Sequence, residues 1–126
     1  MGIVRANIEL RNPRLENFSK LDVNCIVDSG AFTLCIPEHI QLQLGLVELE
    51  KREVTLANGS KQLIPYVGPV QVNFQNRLSF CGAIVLGTEV LLGAIPMEDM
   101  DVLIHPQQHK LIVNPLSPNI ASGLVM

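Results

Sequence analysis

Apolar and polar side chains alternate with a period of two along much of this chain, and that pattern limits the fold more than any other feature. Leu21, Val23, Cys25 and Val27 alternate with Asp22, Asn24 and Ile26, and Val70, Val72 and Phe74 alternate with Gln71, Asn73 and Gln75. Leu78, Phe80 and Ile84 repeat the pattern after the turn Gln75-Asn76-Arg77. Successive side chains of a strand point to opposite faces, so these runs predict a half-buried antiparallel sheet with the apolar sets turned inward. Asn58-Gly59, between Glu53–Ala57 and Lys61–Val67, predicts a hairpin in which both turn residues take positive φ. His105-Pro106-Gln107-Gln108-His109 separates Val102–Ile104 from Leu111–Val113 and predicts a last hairpin. Only two segments read as helical, and both are short: Glu38–Leu44, opened by Pro37 and closed by Gly45, and Met97–Met100, opened by Pro96. The expectation is an all-β chain with one or two short helices.

A length of 126 residues suits one domain, placed at 1–114, followed by an uncharged tail over 115–126 that is either loosely ordered or docked. Hydrophobic residues make up 48% of the chain and aromatics 4%, so aliphatic side chains must build the core. Charged residues, at 17%, fall below the usual quarter, which excludes a disordered polyelectrolyte and points to apolar surface covered by a partner chain. A net charge of −3 argues against nucleic acid, whose binding relies on clustered Lys and Arg. Cys25, Cys35 and Cys81 form no CxxC pair and have no His at zinc-ligand spacing. Their odd number and the lack of a signal-peptide pattern predict reduced thiols in a cytoplasmic protein, and no apolar run is long enough to span a membrane.

Ile26-Val27-Asp28-Ser29-Gly30-Ala31-Phe32-Thr33 is the stretch richest in chemistry. A carboxylate at the end of an apolar strand is costly to desolvate and so is unusual there. Taken alone, Asp-Ser-Gly also fits an ordinary strand-ending turn. Further along, Val90-Leu91-Leu92-Gly93-Ala94-Ile95 joins an apolar pair to Gly ahead of a short helix. Together the two stretches resemble the retropepsin-like aspartic proteases, the retroviral protease family and its small bacterial relatives. In that family two apolar residues precede Asp-Thr/Ser-Gly-Ala/Ser, and an apolar-apolar-Gly stretch leads into a helix. Between them lies a glycine-bearing flap hairpin, matched here by Thr55-Leu56-Ala57-Asn58-Gly59-Ser60. The resemblance runs from about Lys20 to Val113, and Phe32 is a bulky departure from the pattern.

The resemblance implies the acid-protease fold, a closed β-barrel-like domain, and an aspartic endopeptidase without metal or organic cofactor. The catalytic residue would be Asp28, with one copy from each chain of a homodimer because a single chain carries one such motif. Ser29 would bond the partner's loop, Gly30 would let substrate backbone approach, and Ala31 with the flap residues Ala57, Asn58 and Gly59 would hold an extended peptide. Leu91, Leu92 and Ile95 read as core or subsite wall. The rival readings are a catalytically silent dimer of the same fold that binds or scaffolds a peptide partner, and a monomeric β-barrel that holds a small ligand. Ser29 is no serine-hydrolase nucleophile, since there is no GxSxG elbow, and Gly59-Ser60-Lys61 lacks the rest of a phosphate loop. His39, His105 and His109 read as solvated surface groups, and Glu98, Asp99 and Asp101 as a solvated acidic face rather than a metal site. Cys25 reads as inward and inert.

Overall fold

A computed structural model describes residues 2–15, 17 and 20–125. The fold is all-β with two short helices, in the order β1 (Val4–Arg11), β2 (Leu21–Val27), β3 (Leu34–Ile36), α1 (Glu38–Leu44), β4 (Val47–Thr55), β5 (Lys61–Phe74), β6 (Arg77–Val85), β7 (Leu91–Leu92), α2 (Ala94–Met100), β8 (Val102–His105) and β9 (Lys110–Val113). Seven strands form one sheet in the order β1-β2-β7-β3-β6-β5-β4, and β1 also pairs with β5, which curls the sheet round on itself. β8 and β9 form the separate last hairpin.

The sheet is mixed rather than purely antiparallel. β2 and β7 run parallel, with Ile26 opposite Leu91 and Val27 opposite Leu92, and β3 runs parallel to β6. Short strands that meet in this way bring the ends of β2 and β7 side by side. The inward sets are Val4, Ala6, Ile8 and Leu10 of β1, Cys25 and Val27 of β2, and Val70, Val72 and Phe74 of β5. They enclose an aliphatic core with Leu34, Ile36, Leu44 and Leu92, and each such buried side chain contributes about 1.5–3 kcal/mol.

Four expectations need correction. In the first half of β6 the phase is inverted, with Leu78 and Phe80 exposed and Arg77 and Ser79 buried, whereas Ile84 is buried as its alternation predicts. The first residue of β6 pairs with Phe74 across a tight turn in which Gln75 takes a φ of +51°, and that register fixes which side chains turn inward. In the β4–β5 hairpin only Gly59 has positive φ, at +85°. Leu56 accepts from Gly59 N–H and pairs with Ser60, so the loop has the three residues Ala57, Asn58 and Gly59 instead of a two-residue turn. α2 begins at Ala94, with Pro96 inside its first turn rather than at its start. Finally, Asp101 is no solvated acid. It ends α2 in the left-handed region at φ +55° and ties down the chain after β9.

α1 matches its reading, with Gly45 at φ +63° closing it. His105 does more than sit in solvent, since its Nδ1 accepts from the backbone N–H of Gln107 and Gln108 and holds the last turn. The segment after β9 is docked. Asn76 Nδ2 donates to Pro118 O at 3.0 Å, and Arg77 donates to the carbonyl of Ser117. Among the described residues, no helix is long and apolar enough to cross a membrane.

Candidate active site

Asp28 follows the last residue of β2, where the strand runs out of partners and the chain turns. Its N–H donates to Leu92 O at 2.9 Å, which ties the loop to β7. Its carbonyl accepts from Ala31 N–H at 3.1 Å, and its carboxylate Oδ1 accepts from Gly30 N–H at 2.9 Å. This is a small closed turn with the carboxylate at its outer edge. Asp28, Ser29 and Gly30 are all exposed. A Cβ on Gly30 would come within 3.1 Å of Asp28 Oδ1, so glycine leaves the carboxylate room.

The return of the chain through Gly93 fixes the other side of the loop. Ala94 N–H donates to Ala31 O at 2.8 Å and Ile95 N–H to Phe32 O at 3.0 Å. A Cβ on Gly93 would lie 2.1 Å from Thr33 O and 2.6 Å from Ala31 O, which only glycine avoids. Thr33 is buried and its Oγ1 donates to Gly82 O at 3.2 Å, anchoring the loop's exit to β6. The two motifs read from the sequence, Asp28-Ser29-Gly30 and Leu91-Leu92-Gly93, therefore meet through the parallel β2–β7 pair and a set of backbone hydrogen bonds.

Asp28 lies in a pocket of about 630 Å³ lined by Gly30, Ala31, Phe32, Cys35, Ile84, Leu86 and Leu91 on one side and by Glu53, Val54, Thr55, Leu56 and Ala57 of the hairpin arm on the other. The first residues of β5 pair only with β4, so this hairpin reaches away from the barrel. Its base is stiffened where the Arg52 guanidinium sits 3.7 Å over the Tyr66 ring. Tyr66 in turn occupies the space beside Gly82, where a Cβ would fall 2.0 Å from the ring. Asn58 Oδ1 accepts from Ser60 N–H at 2.9 Å and organises the tip.

Of the residues expected to hold substrate, Ala31 and Ala57 line this pocket, whereas Asn58 and Gly59 lie at the hairpin tip beyond its lining. Leu92 is core and Leu91 lines the pocket, but Ile95 is exposed and belongs to neither role. Sequence reasoning passed over Cys35, Thr33 and the pocket wall of Val54, Ile84 and Leu86. Cys35 faces the same pocket as Asp28, and burial first, then the Asp28 charge, pushes its thiol above the ordinary range. Cys25 is buried in the core, where desolvation pushes its thiol up to about 11, in keeping with an inert group.

A second concavity of about 600 Å³ on the outer face of β1 and β2 is lined by Asn7, Glu9, Asp22, Asn24 and Asn73. Its Glu9 carboxylate is already met by Lys20 and Arg11 at 3.1 and 3.4 Å. Among the described residues no cluster of three or more His, Cys, Asp or Glu is placed to hold a metal.

Fold and site thus describe an all-β chain that presents one aspartate on a tight loop lining an apolar pocket, with a hairpin arm across from it. No family model matches the sequence, and no curated protein matches it. Among solved structures, the chain is similar to the protease of a macaque simian foamy virus, at 16% identity and a TM-score of 0.46 over 73% of this chain and 91% of that one. It is also similar to a Legionella pneumophila protein of unknown function, at 12% identity and a TM-score of 0.41 over 78% of this chain and 87% of that one.

Proposed function

We propose that this protein is an aspartic endopeptidase of the retropepsin-like type, which hydrolyses peptide bonds with a dyad made of Asp28 from each of two chains. The observation that carries the reading is the exposed, sparsely bonded Asp28 carboxylate, held on a turn braced by Gly93 and facing a hairpin arm across an apolar pocket. An arm of this kind can lie along an extended peptide and add strand-like hydrogen bonds, while the apolar pocket takes its side chains.

Two carboxylates a few ångströms apart share one proton, because like charges that close do not both ionise easily. The ionised Asp28 takes a proton from the attacking water, and the protonated one donates to the scissile carbonyl oxygen, so a tetrahedral diol forms. Proton transfer to the leaving nitrogen then breaks the C–N bond and regenerates the shared proton. Ser29 supports the arrangement by bonding the opposite loop, and Gly30 leaves space for substrate backbone.

The test is a digest of a mixed peptide pool by the purified protein, with products read by mass spectrometry across pH. The rate is expected to be bell-shaped and to peak below neutrality, since model dyads titrate near ~1.5 and ~4.7. A rate that keeps climbing into alkaline pH, or no cleavage at any pH by a dimeric protein, would overturn the reading; the latter outcome leaves the peptide-binding scaffold.

A further inference from the structure

The start of β6 turns two large apolar side chains to solvent: Leu78 is 46% exposed and Phe80 56%. The register places Asn73 of β5 opposite Leu78, and Gln71 opposite Phe80. β1 continues these rows with Glu9 opposite Asn73 and Arg11 opposite Gln71, and β2 sets Asp22 opposite Glu9 and Asn24 opposite Asn7. Opposed residues share a face of a sheet. One outer surface therefore runs from an aromatic edge on β6 to an amide-rich floor on β1 and β2. Two hollows open on it: the concavity of about 600 Å³ beside Asn7, Asn24, Asn73 and Gln75, and one of about 440 Å³ lined by Arg11, Leu15, Gln71 and Phe80. No residue lines both these hollows and the Asp28 pocket, so what this face does is separate from the peptidase reading.

We propose that this face binds a neutral oligosaccharide, with Phe80 and Leu78 under the C–H face of a sugar ring and the amides of Asn73, Asn7 and Asn24 on its hydroxyls. A hydroxyl both donates and accepts, and a side-chain amide offers both functions. Asn24 Nδ2 donates to Asn7 Oδ1 at 2.9 Å and Gln71 Nε2 to Asn73 Oδ1 at 2.9 Å, which fixes these amides in place. Among the described residues the NH2 groups of Asn7 and Asn73 have no acceptor and remain donors to a ligand, while Asp22 adds acceptor oxygens.

The charges on this face balance, which favours a neutral ligand. Lys20 and Arg11 meet Glu9 at 3.1 and 3.4 Å, with Asp22 as the second acid opposite it, and Arg5 meets Glu89 at 2.9 Å. At Gln71 and Asn73 the backbone of β5 is paired on both sides, to β1 and to β6, so the middle of the face offers side chains rather than a strand edge for a peptide to join. A stable protein partner takes about 800 Å² from each side, with an apolar centre. Here the apolar side chains lie at one edge, and the centre is polar and hollow.

Cellohexaose, maltohexaose and chitohexaose, each titrated into the isotope-labelled protein and followed by backbone and side-chain amide NMR, test this. At least one is expected to bind with a dissociation constant of about 1 mM or tighter, moving the Asn7 and Asn73 NH2 signals and the backbone amides of Leu78 to Phe80. Phe80→Ser changes an exposed side chain and should weaken that binding about 5-fold or more. Asn73→Ala should weaken it by a similar factor and keeps the test decisive if Phe80→Ser does not fold, which thermal unfolding checks. Leu42→Ser, at an exposed position of α1, should bind like the wild type. No shift from any of the three sugars at about 10 mM, well above the expected dissociation constant, overturns the inference and leaves Leu78 and Phe80 to a protein partner. Binding that Phe80→Ser and Asn73→Ala both leave unchanged, or shifts centred on the Asp28 pocket, overturns it as well.

Discussion

Asp28 and Asp101 are both aspartates that end a regular element, and their surroundings could hardly differ more. Asp101, at the end of α2, accepts from Asn114 Nδ2 at 3.0 Å, from the Ser117 hydroxyl and from Ser122 N–H at 3.0 Å, with the Arg77 guanidinium 3.8 Å away. The Ser117 hydrogen bond first, then those from Asn114 and Ser122, hold its carboxyl down at about 2, with the Arg77 charge a smaller cause. Asp28 accepts from Gly30 N–H, the one hydrogen bond its carboxylate makes among the described residues. A carboxylate offers about four acceptor positions. Those of Asp101 are spent on joining the helix to the tail, whereas among the described residues Asp28 uses one, and it lines an open pocket. Saturation marks a structural acid, and open acceptor capacity on a rigid turn marks one available to water and substrate.

The widest separation between the two should appear in turnover. On the proposed dyad, Asp28→Asn would remove base and proton donor from both copies at once, so peptide cleavage is expected to fall by several powers of ten. Its unfolding free energy should stay within about 0.5 kcal/mol of wild type, as for an exposed group. Asp101→Asn should behave conversely, with cleavage kept and the tail loosened in limited proteolysis. A folded Asp101→Asn protein as inactive as Asp28→Asn would erase the distinction.

Next in size is a pair of glycine substitutions in the Asp28 turn. Gly93→Ala drives a Cβ into the backbone carbonyls of Thr33 and Ala31, the second of which is held by the Ala94 N–H. Overpacking costs about 1–3 kcal/mol, and an unyielding backbone places this variant at or above the upper end. The melting temperature should drop by roughly 4 °C for each kcal/mol. Gly30→Ala meets only the Asp28 side chain, at 3.1 Å, and that side chain can swing aside. It should lower turnover while changing the melting temperature little. Equal destabilisation by the two would show that the carboxylate is as firmly packed as the loop beneath it.

How far the sequence revealed these regions follows from how local each one is. The Asp28 turn was legible because its signal is contiguous: an apolar strand, an acid, then Ser-Gly. Its partner Leu91-Leu92-Gly93 was legible as a pattern, although the reason for Gly93, a close approach to two carbonyls of another segment, appears only in three dimensions. β2 and the Val70–Phe74 part of β5 followed their alternation because one face of each is core, whereas β1, Val4–Arg11, alternates in the same way and was passed over. At the start of β6 the same reasoning chose the wrong face, since Leu78 and Phe80 lie outside while Arg77 is buried against the tail; only Ile84 of that run is buried. The Asp101 cluster draws on residues 77, 114, 117 and 122, and no spacing rule connects them. Asp101 therefore read as one more solvated acid beside Glu98 and Asp99, which are indeed exposed.

The smallest expected effect is in acid, and it separates the two aspartates by pH rather than by mutation. The carboxyl of Asp101 titrates at about 2 in the folded chain, below its ordinary value of 3.8. A group whose folded value is depressed contributes stability that is complete above its unfolded value and is lost as pH falls through the folded one. The contribution of Asp101 is therefore intact above about pH 4 and drains away between about pH 4 and pH 2. Once the acid is protonated, Asn114, the Ser117 hydroxyl and Ser122 N–H lose a charged acceptor, and the segment from Pro115 to Val125 has few other ties. The measurement is hydrogen exchange at the Ser122 amide, expressed as protection relative to a free peptide at each pH. Protection should hold at pH 5 and fall toward pH 2 while the amides of Val70 and Val72 in the core stay protected. In Asp101→Asn, Ser122 should be weakly protected at both values. Wild-type protection that is the same at pH 5 and pH 2 would show that the tail is held by something other than the Asp101 charge, and the contrast with Asp28 would then rest on geometry alone.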